Sequence, residues 1–132
     1  MIMSLFILLL SLAATPGDTR VKTKIVSTYR ATCSNGAEYS IAVDKRLHSV
    51  PRVQLVANGR VISKGDFSHI DDALRLMVET RTLNISCLPG SAFFTVLFTK
   101  LNGESVGLHK LAFVVEDENV KNVAVAPASA AD

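Results

Sequence analysis

From Val21 onward, apolar and polar residues alternate with a period of two. Val21, Thr23, Ile25, Ser27, Tyr29, Ala31 and Cys33 share one face, and Lys22, Lys24, Thr28, Arg30 and Thr32 line the other. This is the pattern of a strand buried on one side. Ser34-Asn35-Gly36 supplies residues that accept positive φ, and Tyr39, Ile41 and Val43 then resume the alternation against Glu38, Ser40 and Asp44. The pair predicts a β-hairpin. A second hairpin is expected where Val53-Gln54-Leu55-Val56 meets Arg60-Val61-Ile62-Ser63 across Asn58-Gly59.

Gly65-Asp66 interrupts the rhythm. Ser68 stands three residues before Asp71, in the arrangement of a capping box with Asp in place of Glu. Ile70, Leu74, Met77, Val78 and Arg81 follow helical spacing, which predicts a short helix over about residues 69–79. Leu74, Leu76 and Val78 also alternate, so an edge strand fits the same letters. Leu83, Ile85 and Cys87 alternate against Thr82, Asn84 and Ser86, Pro89-Gly90 turns the chain, and Phe94, Val96 and Phe98 form the strongest apolar strand face. A turn is expected at Asn102-Gly103, followed by strands over 105–115 and 120–125. The sum is a mainly β fold, a small antiparallel barrel or sandwich of about 7–8 strands with one short helix. One β-rich domain is expected over residues 20–126, with a flexible C-terminal tail at 127–132.

The first residues follow neither period. Leu5 to Leu12 is apolar, uncharged and followed by small residues, which predicts a signal peptide over residues 1–14, cleaved after Ala13, Ala14 or Thr15. The run is too short to span a bilayer. Export to a secreted or periplasmic location is therefore expected, with a soluble mature chain that has no membrane span. An oxidising compartment in turn predicts that Cys33 and Cys87, the only cysteines, form a disulfide. Closing a loop of about 54 residues stabilises a fold by roughly 4 kcal/mol in the chain-entropy model.

The chain of 132 residues carries a formal charge of +2, too small to indicate nucleic acid. The charge is uneven. Nine basic and two acidic residues lie between Arg20 and Lys64, whereas five basic and nine acidic residues follow Gly65. Within the basic half, Lys45, Arg46, His48, Arg52 and Arg60 are the candidate partner-binding residues, and an acidic protein surface suits them. With no Trp and 6% aromatic residues, a stacking platform for sugars or bases is hard to build.

Candidate chemistry is sparse. His48, His69 and His109, with Asp71 or Asp72 as orienting carboxylate and a Ser as nucleophile, are the only route to a hydrolase, and no nucleophile elbow, HExxH pair or phosphate-cradling glycine loop accompanies them. No enzymatic activity, cofactor or metal site is expected. Asp71-Asp72 and Glu116-Asp117-Glu118 lack the spaced oxygen ligands of a calcium loop. Asn84-Ile85-Ser86 fits an N-glycosylation acceptor on a polar strand face.

The opening Tyr29-Arg-Ala-Thr-Cys33-Ser-Asn-Gly36 resembles that of the C-type lysozyme inhibitor family, over roughly residues 29–43, and Phe98-Thr99-Lys100 followed by Gly103 is similar to a later element of that family. The resemblance implies a periplasmic β-barrel that acts by binding another protein. The chain lacks the family's Ser-Gly-x-x-Tyr loop and has no Trp in its later strands, so no inhibitory residue carries over. The expectation is an exported domain that binds another extracytoplasmic protein, inhibitor-like in the form the resemblance implies. The alternatives are a small secreted hydrolase using a surface His, and an assembly protein that pairs through an edge strand.

Overall fold

The computed structural model describes residues 24–46 and 51–129. The expected signal peptide and His48 lie outside the described residues. The described chain runs β1 (Lys24–Thr32), β2 (Glu38–Arg46), β3 (Arg52–Ala57), β4 (Arg60–Ile62), β5 (Lys64–Gly65), α1 (Phe67–Ala73), β6 (Met77–Leu88), β7 (Ser91–Asn102), β8 (Ser105–Glu116) and β9 (Asn119–Pro127). The fold is mainly β, as the alternation predicts, with nine strands among the described residues. The strand beyond the expected eight is the two-residue β5, too short to show a period, whereas β4 is the second strand of the second expected hairpin.

Two sheets face each other, one ordered β1-β2-β3-β4 and the other β5-β9-β8-β7-β6. Both expected hairpins form. Tyr29 pairs with Ile41, and Ile41 in turn with Leu55. The first turn is closed by the Asn35 side chain, whose Oδ1 accepts from the Ala37 N–H at 3.0 Å. In the second turn Asn58 and Gly59 both take positive φ, 52° and 83°, the conformation that suits the right-handed twist of a two-residue hairpin.

The sheets are joined differently at their two sides. On one side the chain passes directly from β4 into β5, which pairs in parallel with β9 through Lys64–Asn119 and Gly65–Val120. On the other, β1 lies alongside β6 without a hydrogen-bonded ladder, so the sheets remain a sandwich rather than a closed barrel. The Cys33–Cys87 disulfide joins that side, with the two Cα atoms 5.8 Å apart.

The core fills the space between the sheets. Phe94 stacks on Phe113 with ring centroids 5.0 Å apart, and Tyr39 of the opposite sheet meets Phe94 edge-on at 6.2 Å. Val96, Phe98, Leu111 and Leu55 are fully buried around them. Ile70, Ala73 and Leu74 bring α1 onto the same core. Each such large apolar side chain contributes roughly 1.5–3 kcal/mol by leaving water.

Four local expectations are corrected. The helix spans 67–73 rather than 69–79, because the chain turns tightly after Leu74 (the Met77 N–H donates to the Leu74 carbonyl at 3.0 Å) and then enters β6, where Met77 pairs with Lys100. Ser68 caps nothing: it lies inside α1, and Asp66 precedes the helix without a side-chain cap. The turn expected at Asn102-Gly103 falls on Gly103-Glu104, since Asn102 pairs with Ser105 and Gly103 takes φ 72°. β9 also continues past Val125, with Lys110 opposite Ala126 and the Ala128 N–H donating to the Leu108 carbonyl at 2.9 Å.

Candidate functional site

The outward face of the four-stranded sheet is set by the same alternation that builds the core. With Tyr39, Ile41 and Val43 turned inward, β2 presents Glu38, Ser40, Ala42 and Asp44 outward. The register flanks Ala42 with Thr28 and Gln54, flanks Ser40 with Arg30 and Val56, and sets Arg52 opposite Asp44. Small side chains on the middle strand between longer ones on both neighbours leave a trough along β2. One open depression of about 490 Å³ is lined by Thr28, Arg30, Ser40, Ala42, Gln54 and Val56. A second, of about 520 Å³, lies against Asp44, Arg52, Val61 and Phe67 and shares Ala42 and Gln54 with the first. The two adjoin at these residues.

The uneven charge of the sequence becomes a difference between the sheets. Strands β1–β4 carry six cationic and two acidic residues, whereas residues 66–129 carry five and eight. Contiguous segments of the chain build separate sheets, so the two halves do not interleave. Arg60 reaches Glu118 at 3.0 Å, Arg75 reaches Asp72 at 2.8 Å and Lys121 reaches Glu116 at 3.1 Å. Arg30 and Arg52, both exposed on the rims of the trough, form no ion pair among the described residues.

The residues expected to bind a partner are divided by the fold. Lys45 and Arg46 end β2 and Arg52 begins β3, so register places these three at one end of the sheet, with Lys24 opposite Arg46. Arg60 lies at the other end, opposite Ala57 beside the Asn58-Gly59 turn, and is tied to Glu118. The trough residues Thr28, Arg30, Ser40, Ala42 and Gln54 are not marked by the sequence reading. Their signal was the run of small outward residues on β2, which becomes informative once β2 is known to lie between β1 and β3.

The other candidates are scattered. His69, on α1, has Nδ1 3.9 Å from Asp66 Oδ1, while His109, on β8, has Nδ1 3.3 Å from the Gly107 carbonyl oxygen and its ring 6.0 Å from that of Phe98. Neither is oriented by Asp71 or Asp72. Burial, and secondarily the charge of Asp72, raises the pKa of Asp71. Two of the three acidic residues at 116–118 are engaged by Lys121 and Arg60, and no group of three potential metal ligands occurs among the described residues. Asn84 is exposed on β6, its amide 3.5 Å from Ser86 Oγ. Residues 29–43 lie within the β1–β2 hairpin. No helix among the described residues is long and apolar enough to cross a membrane.

No protein-family model, curated protein or solved structure matches this chain.

Proposed function

We propose that this chain is an exported binding domain that engages another extracytoplasmic protein through the outward face of its four-stranded sheet. The observation that carries the reading is the pair of adjoining depressions over β2 and β3, on the sheet that holds the excess of cationic residues. The disulfide fits an oxidising compartment, where Cys33 and Cys87 remain paired. An inhibitor-like role, in which the face covers a partner enzyme, is the specific form that the resemblance to the lysozyme inhibitors implies.

The test is site-specific photocrosslinking of the disulfide-bonded protein in the extracytoplasmic fraction of its own source. A crosslinker at Ala42 is expected to give a discrete adduct that excess unlabelled protein abolishes, while one at Ser86, on the outward face of the second sheet, gives none. Adducts at Ser86 alone, or none at either position, would overturn the reading.

A further inference from the structure

We infer that the trough takes an extended acidic peptide segment, with two carboxylates about four residues apart, held by the guanidinium groups of Arg30 and Arg52. The inference rests on the binding face proposed above and names the chemistry of what lies in it.

Shape restricts the occupant first. The trough follows β2 from Glu38 to Asp44, about 20 Å of strand, with Ser40 and Ala42 as its floor. Two adjoining open depressions spread over that length suit an extended chain better than a compact ligand. β2 is hydrogen-bonded to β1 on one side and β3 on the other, so the occupant cannot add to the ladder as a further strand. It must be held by side chains. Thr28, Ser40 and Gln54 offer hydroxyl and amide groups that can both donate and accept, which matches the N–H and C=O groups of a peptide backbone.

Charge restricts it further. Arg30 lies across from Ser40 on the β1 side, and Arg52 across from Asp44 on the β3 side. The two are offset along β2 by four residues, about 13 Å, which is also the spacing of side chains at i and i+4 in an extended peptide. Side chains four apart fall on the same face of such a peptide, so both can point into the trough. A guanidinium presents a planar fork of donors that fits a carboxylate, and these two arginines form no ion pair among the described residues. Glu38 and Asp44 mark the two ends of the trough. With these two carboxylates the lining carries no net positive charge, which disfavours a polyanion such as a nucleic acid and leaves the two guanidinium groups as separate points of attachment.

The experiment uses the disulfide-bonded protein and three fluorescein-labelled nine-residue peptides of Ser and Thr. The first carries Glu at its third and seventh positions, the second Gln at both, and the third Glu at its third and sixth positions, which point to opposite faces. Fluorescence polarisation at low salt is expected to show the first binding about tenfold or more tightly than either of the others. Arg30→Glu and Arg52→Glu should each weaken it by about tenfold, while Lys110→Glu on the second sheet leaves it unchanged; circular dichroism confirms that all variants fold. Equal binding of the three peptides, or no effect of the arginine reversals, overturns the inference. So does a concentration-dependent oligomer abolished by Arg30→Glu, which assigns the face to a second copy of the chain. Failure with all peptides while the Ala42 crosslink persists refutes the acidic segment and leaves the binding face standing. Loss of both refutes the two together.

Discussion

Cys33 and Cys87 join the two sheets at the one side where their neighbouring strands, β1 and β6, form no hydrogen-bonded ladder. At the opposite side the chain itself crosses between sheets through β4 and β5, so the disulfide is the covalent counterpart of that crossing. With 54 residues between the two cysteines, the cross-link is expected to contribute roughly 4 kcal/mol. The variant carrying both Cys33→Ser and Cys87→Ser should lose about that amount in urea unfolding. A loss below about 1 kcal/mol would mean that packing alone holds the β1–β6 side.

The crossing at β5 depends on one glycine. Gly65 has φ +76°, and a Cβ built there collides with the Val120 carbonyl oxygen and lies 2.8 Å from the Val120 nitrogen. Gly65→Ala therefore combines backbone strain with displacement of β9, at an expected cost of about 2–4 kcal/mol. Gly59→Ala is the control, since Gly59 has φ +83° but nothing within 4 Å of a Cβ. It should cost about 1 kcal/mol, from conformation alone. Equal losses in thermal or urea unfolding would show that contact with Val120 contributes nothing.

Asp71 ties the stability of α1 to pH. Partial desolvation of its carboxyl, with the charge of Asp72 adding to the effect, raises its pKa above the ordinary carboxylate value of 3.8. Asp72 is held in an ion pair with Arg75 at 2.8 Å. A carboxyl whose pKa is higher in the folded state binds its proton more tightly there, so stability falls as pH rises from 3.8 through the raised value, and the deficit persists above it. Asp71→Asn keeps the shape and removes the charge. Because the side chain is exposed and screened, the variant should gain only a few tenths of a kcal/mol, about 0.3, at pH 7. The gain should shrink as pH falls towards 3 in urea titrations. A gain that grows on acidification would contradict this sign.

The strands were legible wherever one face is buried and the other wet. Tyr39, Ile41 and Val43 show this on β2, and Asn58-Gly59 marks its turn because few other residues accept two positive φ values in succession. The segment from Ile70 to Val78 was ambiguous for a physical reason: it contains the end of a helix and the start of a strand, so each period matches part of it. Lys45, Arg46 and Arg52 fall at one end of the sheet because β2 and β3 are antiparallel neighbours in which Asp44 pairs with Arg52. Arg60 lies at the other end because β3 carries the chain away before the turn. Arg30 and Gln54 could not be found without the order of strands. They meet only through the register of β1 and β3 on β2, which is a long-range property.

The turn between β8 and β9 stores strain that one substitution should release. Asp117 and Glu118 take φ values of 53° and 64°, a left-handed pair in which glycine usually fills the second position. For a residue with a Cβ this conformation costs roughly 1–2 kcal/mol. Glu118 also holds Arg60 at 3.0 Å, but their side chains are 42% and 73% exposed, so the pair is worth under about 1 kcal/mol. The two effects separate in an Arg60→Ala background, where there is no ion pair to lose. There Glu118→Gly is expected to raise stability by about 0.5–1 kcal/mol, the relieved strain less the extra freedom glycine gives the unfolded chain. With Arg60 present the gain should be smaller by the worth of the pair. A loss of stability in the Arg60→Ala background, measured by urea unfolding, would show that Glu118 supports the turn by contacts other than its ion pair.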